Sequence, residues 1–155
     1  MVRPVCSTLS LTIRKARTAA EIEDAAALYE RAGTQAFSWR PIGHFQARDF
    51  IAFAQEEEVW LAHMSDALVG ILSIFREENF IHCLYVDPGA QGLGIGKALV
   101  DFVRKKVGHP LTLKLDVPNR AAIAFYEATG WERMTGLDDQ GVDDMGIRWA
   151  RYRLA

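Results

Sequence analysis

Hydrophobic residues in the first third of the chain change from alternate positions to helical spacing. Residues 11–17 alternate between apolar and polar side chains, which predicts a β-strand. From residue 18 onward apolar residues recur every three or four positions, which predicts an amphipathic helix that ends near Gly33. An irregular aromatic stretch over residues 37–45 follows, and a second helix is predicted from about residue 46 to 55.

The middle of the chain has the pattern of a hairpin followed by another strand. Apolar runs at residues 59–64 and 67–75 flank Ser65-Asp66, a turn-forming pair, and predict two antiparallel strands. Residues 80–86 are again rich in apolar and aromatic side chains. They predict a further strand of the same sheet.

Helices and strands alternate in the second half of the chain. A Gly-rich loop opens a long helix with one apolar face, and residues 111–117 then alternate as a strand does. Asn119 is a good N-cap for the next helix, and residues 147–154 predict a last strand. The order β-α-α-β-β-β-α-β-α-β-β predicts a single α/β domain over residues 1–155, built around one mixed sheet.

Composition and charge exclude several classes of function. The 155 residues are 50% hydrophobic and 25% charged, as is usual for a soluble globular domain. The net charge of −2 offers no basic footprint for nucleic acid or an anionic membrane. No run approaches the roughly 20 apolar residues that span a bilayer, and the first residues lack the apolar core of a signal peptide. A cytoplasmic protein without nucleic-acid or membrane partners is therefore expected.

Neither the cysteines nor the histidines are spaced as metal ligands. Cys6 and Cys83 are too few for a disulfide framework, and the apolar run around Cys83 is typical of a buried thiol. The histidines are scattered without ligand spacing, at His44, His63, His82 and His109. The sequence therefore predicts no metal cofactor.

The most informative motif is a Gly-rich loop that follows a predicted strand and opens the long helix. It reads Gln91-Gly92-Leu93-Gly94-Ile95-Gly96-Lys97-Ala98. Its glycines let backbone N–H groups approach a ligand, and a helix N-terminus favours a phosphate or pyrophosphate. A Walker loop is excluded because Ala98 replaces the Ser/Thr and Gln91 replaces the first glycine. The dinucleotide fingerprint is excluded because Leu99 stands where its third glycine belongs.

Three segments resemble the GNAT acetyltransferase superfamily. Gln91, Gly94 and Gly96 satisfy its pyrophosphate-loop pattern Q/R-x-x-G-x-G/A. Residues 84–88 resemble the strand whose bulged backbone lines the pantetheine arm, and residues 119–131 resemble its N-x-x-A-x-x-x-Y-x-x-x-G-F/W segment. The resemblance implies a mixed, mostly antiparallel central sheet flanked by helices, with strands splayed at an acetyl-CoA cleft. It also implies an N-acetyltransferase that transfers an acetyl group directly to a primary amine.

The resemblance also implies which residues bind acetyl-CoA, the acyl-donor co-substrate. In the family the loop N–H groups hold the pyrophosphate, the strand backbone holds the pantetheine arm, and an asparagine contacts the same arm. Carried over by position, the donor-binding residues are Leu84, Tyr85, Val86, Gln91, Gly92, Leu93, Gly94, Ile95, Gly96, Lys97, Asn119 and Tyr126.

Tyr126 falls at the position of the family's general acid, which protonates the departing coenzyme A thiolate. A weak acid suits this role, because a thiol with a pKa near 8.5 leaves more readily when protonated. The structural alternative is a core aromatic residue at helical spacing from Ile123.

His82 is the leading candidate for the general base. Alternation along a strand would place it on the same face as Leu84 and Val86, and Cys83 on the opposite face. An unperturbed imidazole changes charge near neutral pH, and some arylalkylamine acetyltransferases of the superfamily carry a histidine at this offset. The alternatives are a structural histidine, or a carboxylate acting through water, for which the sequence offers Glu77, Glu78 and Asp87. Lys114 stands where other members carry a catalytic glutamate.

The acceptor site is implied to lie between residues 37–45 and the end of the chain. Trp39, Arg40 and His44 are candidates for its aromatic wall and charge, and an acidic stretch could attract a cationic amine. That stretch contains Asp138, Asp139, Asp143 and Asp144. Small amines, amino acids, aminoglycosides and a peptide or protein amine all remain open as acceptors, and relatives suggest a homodimer. Two alternative functions are a non-catalytic acyl-CoA binding or sensing module and a nucleotide-binding protein with a variant phosphate loop.

Overall fold

A computed structural model describes residues 10–108 and 110–155 and shows one sheet between two layers of helices. The strands are β1 (Leu11–Lys15), β2 (Glu58–Met64), β3 (Ala67–Phe75), β4 (Phe80–Val86), β5 (Leu111–Asp116), β6 (Glu132–Arg133), β7 (Gln140–Val142) and β8 (Arg148–Leu154). The helices are α1 (Ala19–Ala36), α2 (Ala47–Phe53), α3 (Ile95–Val107) and α4 (Arg120–Ala128). Short 3₁₀ turns occupy Ala54–Glu56, Pro88–Ala90 and Leu137–Asp139. Cys6 and His109 lie outside the described residues.

Pairing along the sheet follows the order β1-β2-β3-β4-β5-β8-β6, and β7 also pairs with β8. All of these pairs are antiparallel except β4 with β5. The parallel pair is joined at two positions, Phe80 with Thr112 and Ile81 with Leu113, and the strands then separate. The mixed, mostly antiparallel sheet confirms the predicted fold class, and the separation opens the middle of the sheet.

Each face of the sheet buries its own hydrophobic cluster. On one face α3 and α4 cover residues such as Leu72 and Leu113. On the other face α1 and α2 cover residues such as Leu61 and Ile71. β5 contributes every second residue to the first of these clusters, since its buried residues are Leu111, Leu113 and Leu115.

Helix α1 continues beyond Gly33, where the sequence predicted its end, and stops at Ala36. A Cβ built on Gly33 would lie 2.6 Å from the ring of Phe45. This glycine therefore allows residues 37–45 to pack closely on α1, and it does not mark the end of the helix. Tertiary packing, which the local pattern does not show, explains the difference.

The C-terminal part contains three strands where the sequence predicted two. β6 and β7 span two and three residues, and both pair with the longer β8. Strands this short have too few residues to show an alternation of hydrophobic and polar positions, so the sequence pattern does not predict them. They form because they pair with β8. Among the described residues, no helix has the length and apolar character needed to cross a membrane.

Candidate active site

A cleft of about 520 Å³ lies where β4 and β5 separate. One wall belongs to the α3–α4 side of the sheet and includes Leu84, Val86 and Tyr126. The opposite wall belongs to the α1–α2 side and includes Tyr85 and Ala36, the last residue of α1. Because its lining comes from both faces of the sheet, two ligands can meet in the cleft from opposite sides.

The Gly-rich loop forms the rim of the cleft at the N-terminus of α3. Gly92 and Gly94 have φ angles of 84° and 79°, left-handed values that favour glycine. A Cβ at either residue would meet no heavy atom within 4 Å, so the loop borders open space. Gly94 is the N-cap of α3 and offers no side-chain cap, which leaves the first N–H groups of the helix available to an anion.

Six of the seven predicted loop residues, 91–97, line the cleft. The exception is Leu93, which is 53% exposed and stands outside the lining. Gln91 fastens the loop to β4, because its Nε2 donates a hydrogen bond to the carbonyl of Val86 at 3.3 Å. The structure therefore brings six of the predicted loop residues next to β4 and leaves Leu93 outside the cleft lining.

Gly96 keeps the cleft open just inside the loop. A Cβ on this residue would lie 3.6 Å from Phe125, 3.7 Å from Val86 and 3.9 Å from Leu84. It would thus point into the space between β4 and α4. The absence of a side chain at this glycine leaves room for a ligand against the backbone.

Two backbone N–H groups of β4 point into the cleft between β4 and β5. The N–H of Asp87 donates to the carbonyl of Val69 at 2.8 Å, and hydrogen-bonded pairs alternate along an antiparallel ladder. With the observed register, Leu84 and Val86 occupy the pairs that do not bond to β3. Since β5 has already separated here, the N–H groups of these two residues face the cleft.

Two residues of the α4 region complete this wall. Tyr126 is 6% exposed and packs edge-on against Phe125 and Trp131, with ring centroids 5.0 and 5.4 Å away. Burial raises the pKa of the Tyr126 hydroxyl above its ordinary value, so the phenol stays protonated at neutral pH. Asn119 lines the cleft and also caps α4, since its Oδ1 accepts from the N–H of Ala122 at 3.1 Å.

The prediction that His82 shares a strand face with Leu84 and Val86 is wrong. The His82 ring lies 4.2 Å from the ring of Phe53 on the α1–α2 side, whereas Leu84 and Val86 contact the α3–α4 cluster. The cause is a β-bulge, because the ladder between β3 and β4 shifts register here and inserts His82 as an extra residue. His82 still lines the cleft, with 39% of its side chain exposed.

The same bulge places Cys83 on the face of His82, whereas the sequence predicted opposite faces. Cys83 is 4% exposed and belongs to the α1–α2 cluster, which confirms the predicted buried thiol. Burial raises the pKa of this thiol above its ordinary value, so the reactive thiolate is disfavoured.

Of the carboxylates that the sequence offered as alternative bases, one is bound by other groups and two lie in the turn before β4. Asp87 accepts from the N–H of Gly89 at 2.8 Å and pairs with Arg31 at 2.7 Å. These bonds, chiefly the one from Gly89, lower the pKa of Asp87. Glu77 and Glu78 occupy the turn before β4, at the end of that strand where it still pairs with β5.

A polar network that the sequence did not predict ties the aromatic segment to β5. Trp39 Nε1 donates to Asp116 at 2.8 Å, and Arg40 binds both carboxylate oxygens of Asp116 at 3.0 and 2.9 Å. Arg40 also pairs with Asp143 at 2.9 Å, and its side chain is 10% exposed. Trp39 and Arg40 therefore bind the end of β5 and are not among the residues that line the cleft.

The acidic stretch is partly neutralised in the same way. Asp139 pairs with Arg151 at 3.3 Å, and Asp143 is bound to Arg40. Two of the four aspartates predicted to attract a cationic amine thus have cations already. His44, the remaining candidate of the aromatic segment, packs edge-on against Phe45 at 4.8 Å.

Two small residues of the α1–α2 wall were missed by the sequence reasoning. Ala32 and Ala36 line the cleft from the last turns of α1, and their spacing of four residues is the signal that could have revealed them. Lys114 lines the cleft from β5, with its Nζ 4.3 Å from the ring centroid of Trp149. This wall is therefore small and apolar near α1 and carries one cation near β5.

Comparison with known proteins agrees with this geometry. Residues 18–155 match the family described as Acetyltransferase (GNAT) domain. The match covers most of the chain, so the chain belongs to the GNAT acetyltransferase family. This membership confirms the resemblance seen in the loop and in the segment around Tyr126.

Among its curated relatives is the peptidyl-lysine N-acetyltransferase YiaC of Escherichia coli, 35% identical over 80 residues. The alignment covers 52% of this chain and 53% of YiaC, so the chain spans about half the length of this relative.

Two solved structures share the fold. The solution structure of apo-form YjaB from Escherichia coli has a TM-score of 0.74 at 20% identity, covering 94% of this chain and 98% of that one. The PaiA N-acetyltransferase of Thermoplasma acidophilum, solved in complex with coenzyme A, has a TM-score of 0.68 at 17% identity, covering 92% and 98%.

Proposed function

We propose that this chain is an N-acetyltransferase that moves an acetyl group from acetyl-CoA to a primary amine by direct attack on the thioester. The observation that carries the proposal is the cleft between β4 and β5. It joins a Gly-rich helix N-terminus on one side of the sheet to His82 on the other. Donor and acceptor can therefore approach each other through the sheet.

The chemistry of the α3–α4 wall fits a coenzyme A donor. The N-terminus of α3 offers N–H groups to a pyrophosphate, and the N–H groups of Leu84 and Val86 suit the amide-bearing pantetheine arm. Gly96 leaves space for that arm. The fold relative PaiA was solved with coenzyme A, which supports the same assignment. Acetyl-CoA supplies the activated acetyl thioester.

The transfer requires one group that accepts a proton and one that donates a proton. An alkylammonium must lose a proton before its nitrogen attacks, and His82 accepts that proton. The N–H of Leu84 donates to the carbonyl oxygen while this oxygen gains negative charge. A C–N bond forms as the amine nitrogen attacks, the C–S bond breaks, and Tyr126 donates its proton to the leaving sulfur. The second proton of the attacking nitrogen passes to the Tyr126 phenolate and restores the phenol, and His82 releases its proton to solvent. The products are the acetylated amine and free coenzyme A.

The proposed acceptor is an amine of a peptide or protein, such as a lysine side chain. The relative YiaC is named for peptidyl-lysine, which supports this class. The wall formed by Ala32, Ala36 and Phe37 is small and apolar and suits an aliphatic stem behind the reacting nitrogen. A free small amine is the alternative that the assay below separates.

Two measurements on the purified chain test the proposal. Calorimetric titration with acetyl-CoA should show binding that ATP and NAD do not reproduce. Mass spectrometry should then detect acetylation of lysine peptides in preference to small amines. Acetyl-CoA binding without turnover on either panel would indicate a non-catalytic acyl-CoA binding module, and no binding by folded protein would overturn the donor assignment.

A further inference from the structure

Glu57 lies behind His82, where the 3₁₀ turn Ala54–Glu56 leads into β2. Its backbone is extended, with φ −127° and ψ 156°, and its side chain is 10% exposed. Oε2 of Glu57 lies 2.8 Å from Nδ1 of His82. His82 lines the cleft and Glu57 does not, so this contact joins a cleft-lining imidazole to a buried carboxylate.

The second carboxylate oxygen of Glu57 is buried without a hydrogen-bond partner among the described residues. A buried carboxylate costs free energy unless a positive charge or donors compensate it. His82 is placed to compensate, because its ring becomes positive when it takes up a proton. Among the described residues, the contact from Oε2 to His82 is therefore the one that can compensate the charge of this carboxylate.

The other charged or titratable groups near His82 are occupied elsewhere. Glu58, the next residue, forms ion pairs at 3.5 and 3.1 Å with Lys15 and Arg76. Lys114 on the neighbouring strand lies over the indole of Trp149. Cys83 is kept as a neutral thiol by burial. Within residues 10–108 and 110–155, Glu57 is thus the charged group in direct contact with the His82 ring.

We infer that Glu57 is a positioning residue that fixes the tautomer of His82 and stabilises the positive charge His82 gains as the base. This inference rests on the proposed acetyl transfer. An ionised carboxylate only accepts hydrogen bonds, so Nδ1 of the neutral ring carries the hydrogen and Nε2 keeps the lone pair. Phe53, 4.2 Å away between ring centroids, restrains the ring from the side.

The tautomer is tested on the wild-type protein without any measurement of activity. Nitrogen-15 NMR of the histidine rings, with His82→Gln used to assign the signal, should show neutral His82 with its hydrogen on Nδ1. Glu57→Gln should change this pattern, because the amide can donate to Nδ1 and favour the other tautomer. A wild-type His82 with its hydrogen on Nε2 would overturn the inference.

Kinetics then test whether the contact serves the reaction. Glu57→Gln should lower kcat about 10- to 100-fold, with the Kd for acetyl-CoA and the KM for the amine unchanged. Glu56→Gln is the matched control, since it makes the same change one residue earlier at an exposed position. In a His82→Ala background, Glu57→Gln should have almost no further effect, because coupled residues are not additive.

Two kinetic results would contradict the inference, namely a Glu57→Gln variant that matches Glu56→Gln, or an equal loss with and without His82. Thermal unfolding of each variant separates these results from a loss of fold. A failure of the proposed function looks different, because the wild type would then acetylate no amine while the NMR experiment would still report the tautomer.

Discussion

The surroundings of individual side chains around the cleft favour particular protonation forms. Burial keeps the Tyr126 phenol and the Cys83 thiol neutral, so the first can donate a proton and the second is a poor nucleophile. The contact with Glu57 orients the ring of His82. The proposed donor and the proposed acceptor of protons thus differ in their environments as well as in their residue types.

Replacing Tyr126 by phenylalanine tests the proposal that this single side chain is the general acid. The ring packing against Phe125 and Trp131 is retained, and only the hydroxyl is lost. We expect kcat to fall about 100-fold, within the usual range for a lost general acid, while the Kd for acetyl-CoA stays within twofold. Steady-state kinetics and calorimetry measure both quantities, and full turnover by Tyr126→Phe across the pH range would remove Tyr126 as the acid.

The sequence predicted individual residues well where a local motif fixes them and poorly where the backbone departs from regularity. The loop glycines and Asn119 were recognisable because their spacing reflects backbone geometry that only those residue types provide. The face of His82 was not recognisable, because one inserted residue in β4 reverses the alternation and leaves no trace in the hydrophobic pattern. Glu57 was missed for the same reason, since its role depends on where His82 points.

At the scale of elements, polar contacts fix the start of α1 and the segment that follows α1. Glu21 in the first turn of α1 binds Arg14 of β1 and accepts from the N–H of Arg17 at 2.7 Å. Beyond the helix, Arg40 joins the aromatic segment to the end of β5 across 76 residues of sequence. Such a long-range pair cannot be predicted from periodicity, although the helix that precedes the aromatic segment can.

The Glu21 contacts predict a pH dependence of stability. The side-chain bond from Arg14, followed by the bond from Arg17, lowers the pKa of Glu21 from 4.5 to about 2. A lowered pKa in the folded state means that the stabilisation is present above about pH 4.5 and is lost as the pH falls towards 2. Urea unfolding at a series of pH values should show a smaller acid loss in Glu21→Gln than in the wild type. Glu23→Gln, an exposed change in the same helix, should behave as the wild type does.

Arg40→Lys tests the tie between the aromatic segment and β5. Lysine cannot bind both oxygens of Asp116 and also reach Asp143, so we expect a loss of about 1–3 kcal/mol in the free energy of unfolding. The KM for the amine should rise while the Kd for acetyl-CoA stays constant, because the network supports the acceptor side. Arg31→Lys provides the comparison, since its pair with Asp87 is half exposed and should contribute less than about 1 kcal/mol. Equal losses in the two variants would refute a special role for the Arg40 network.

At the scale of the whole molecule, the order of elements was predicted correctly up to the short C-terminal strands. The position of the cleft came from the family resemblance and not from the pattern of the sequence. Its acceptor wall combines α1, β4 and β5, whose meeting is a property of tertiary structure. The fold was therefore more predictable than the side of the site that selects the acceptor.

Substitutions of increasing size at Gly96 test whether acetyl-CoA binds in the space between β4 and α4. A single Cβ would make ordinary contacts of 3.6 to 3.9 Å, so Gly96→Ala should bind acetyl-CoA nearly as the wild type does. Gly96→Leu should fill the space between β4 and α4 and raise the Kd at least tenfold, which is about 1.4 kcal/mol. Calorimetry measures the affinity, and circular dichroism confirms that both variants are folded. Unchanged affinity in Gly96→Leu would place the donor elsewhere.

The two paired positions between β4 and β5 give the sheet a seam. On one side lie the four strands β1 to β4, and on the other lie β5 to β8, so little backbone pairing joins the two half-sheets. A ligand bound along this seam would contact both half-sheets. Its contacts would hold them together where backbone hydrogen bonds are missing. A ligand that binds only the folded protein would raise the free energy of unfolding by about 2.7 kcal/mol when its concentration is a hundred times its Kd. The gap between β4 and β5 that admits a substrate would therefore also make the rigidity of the protein depend on the concentration of that substrate.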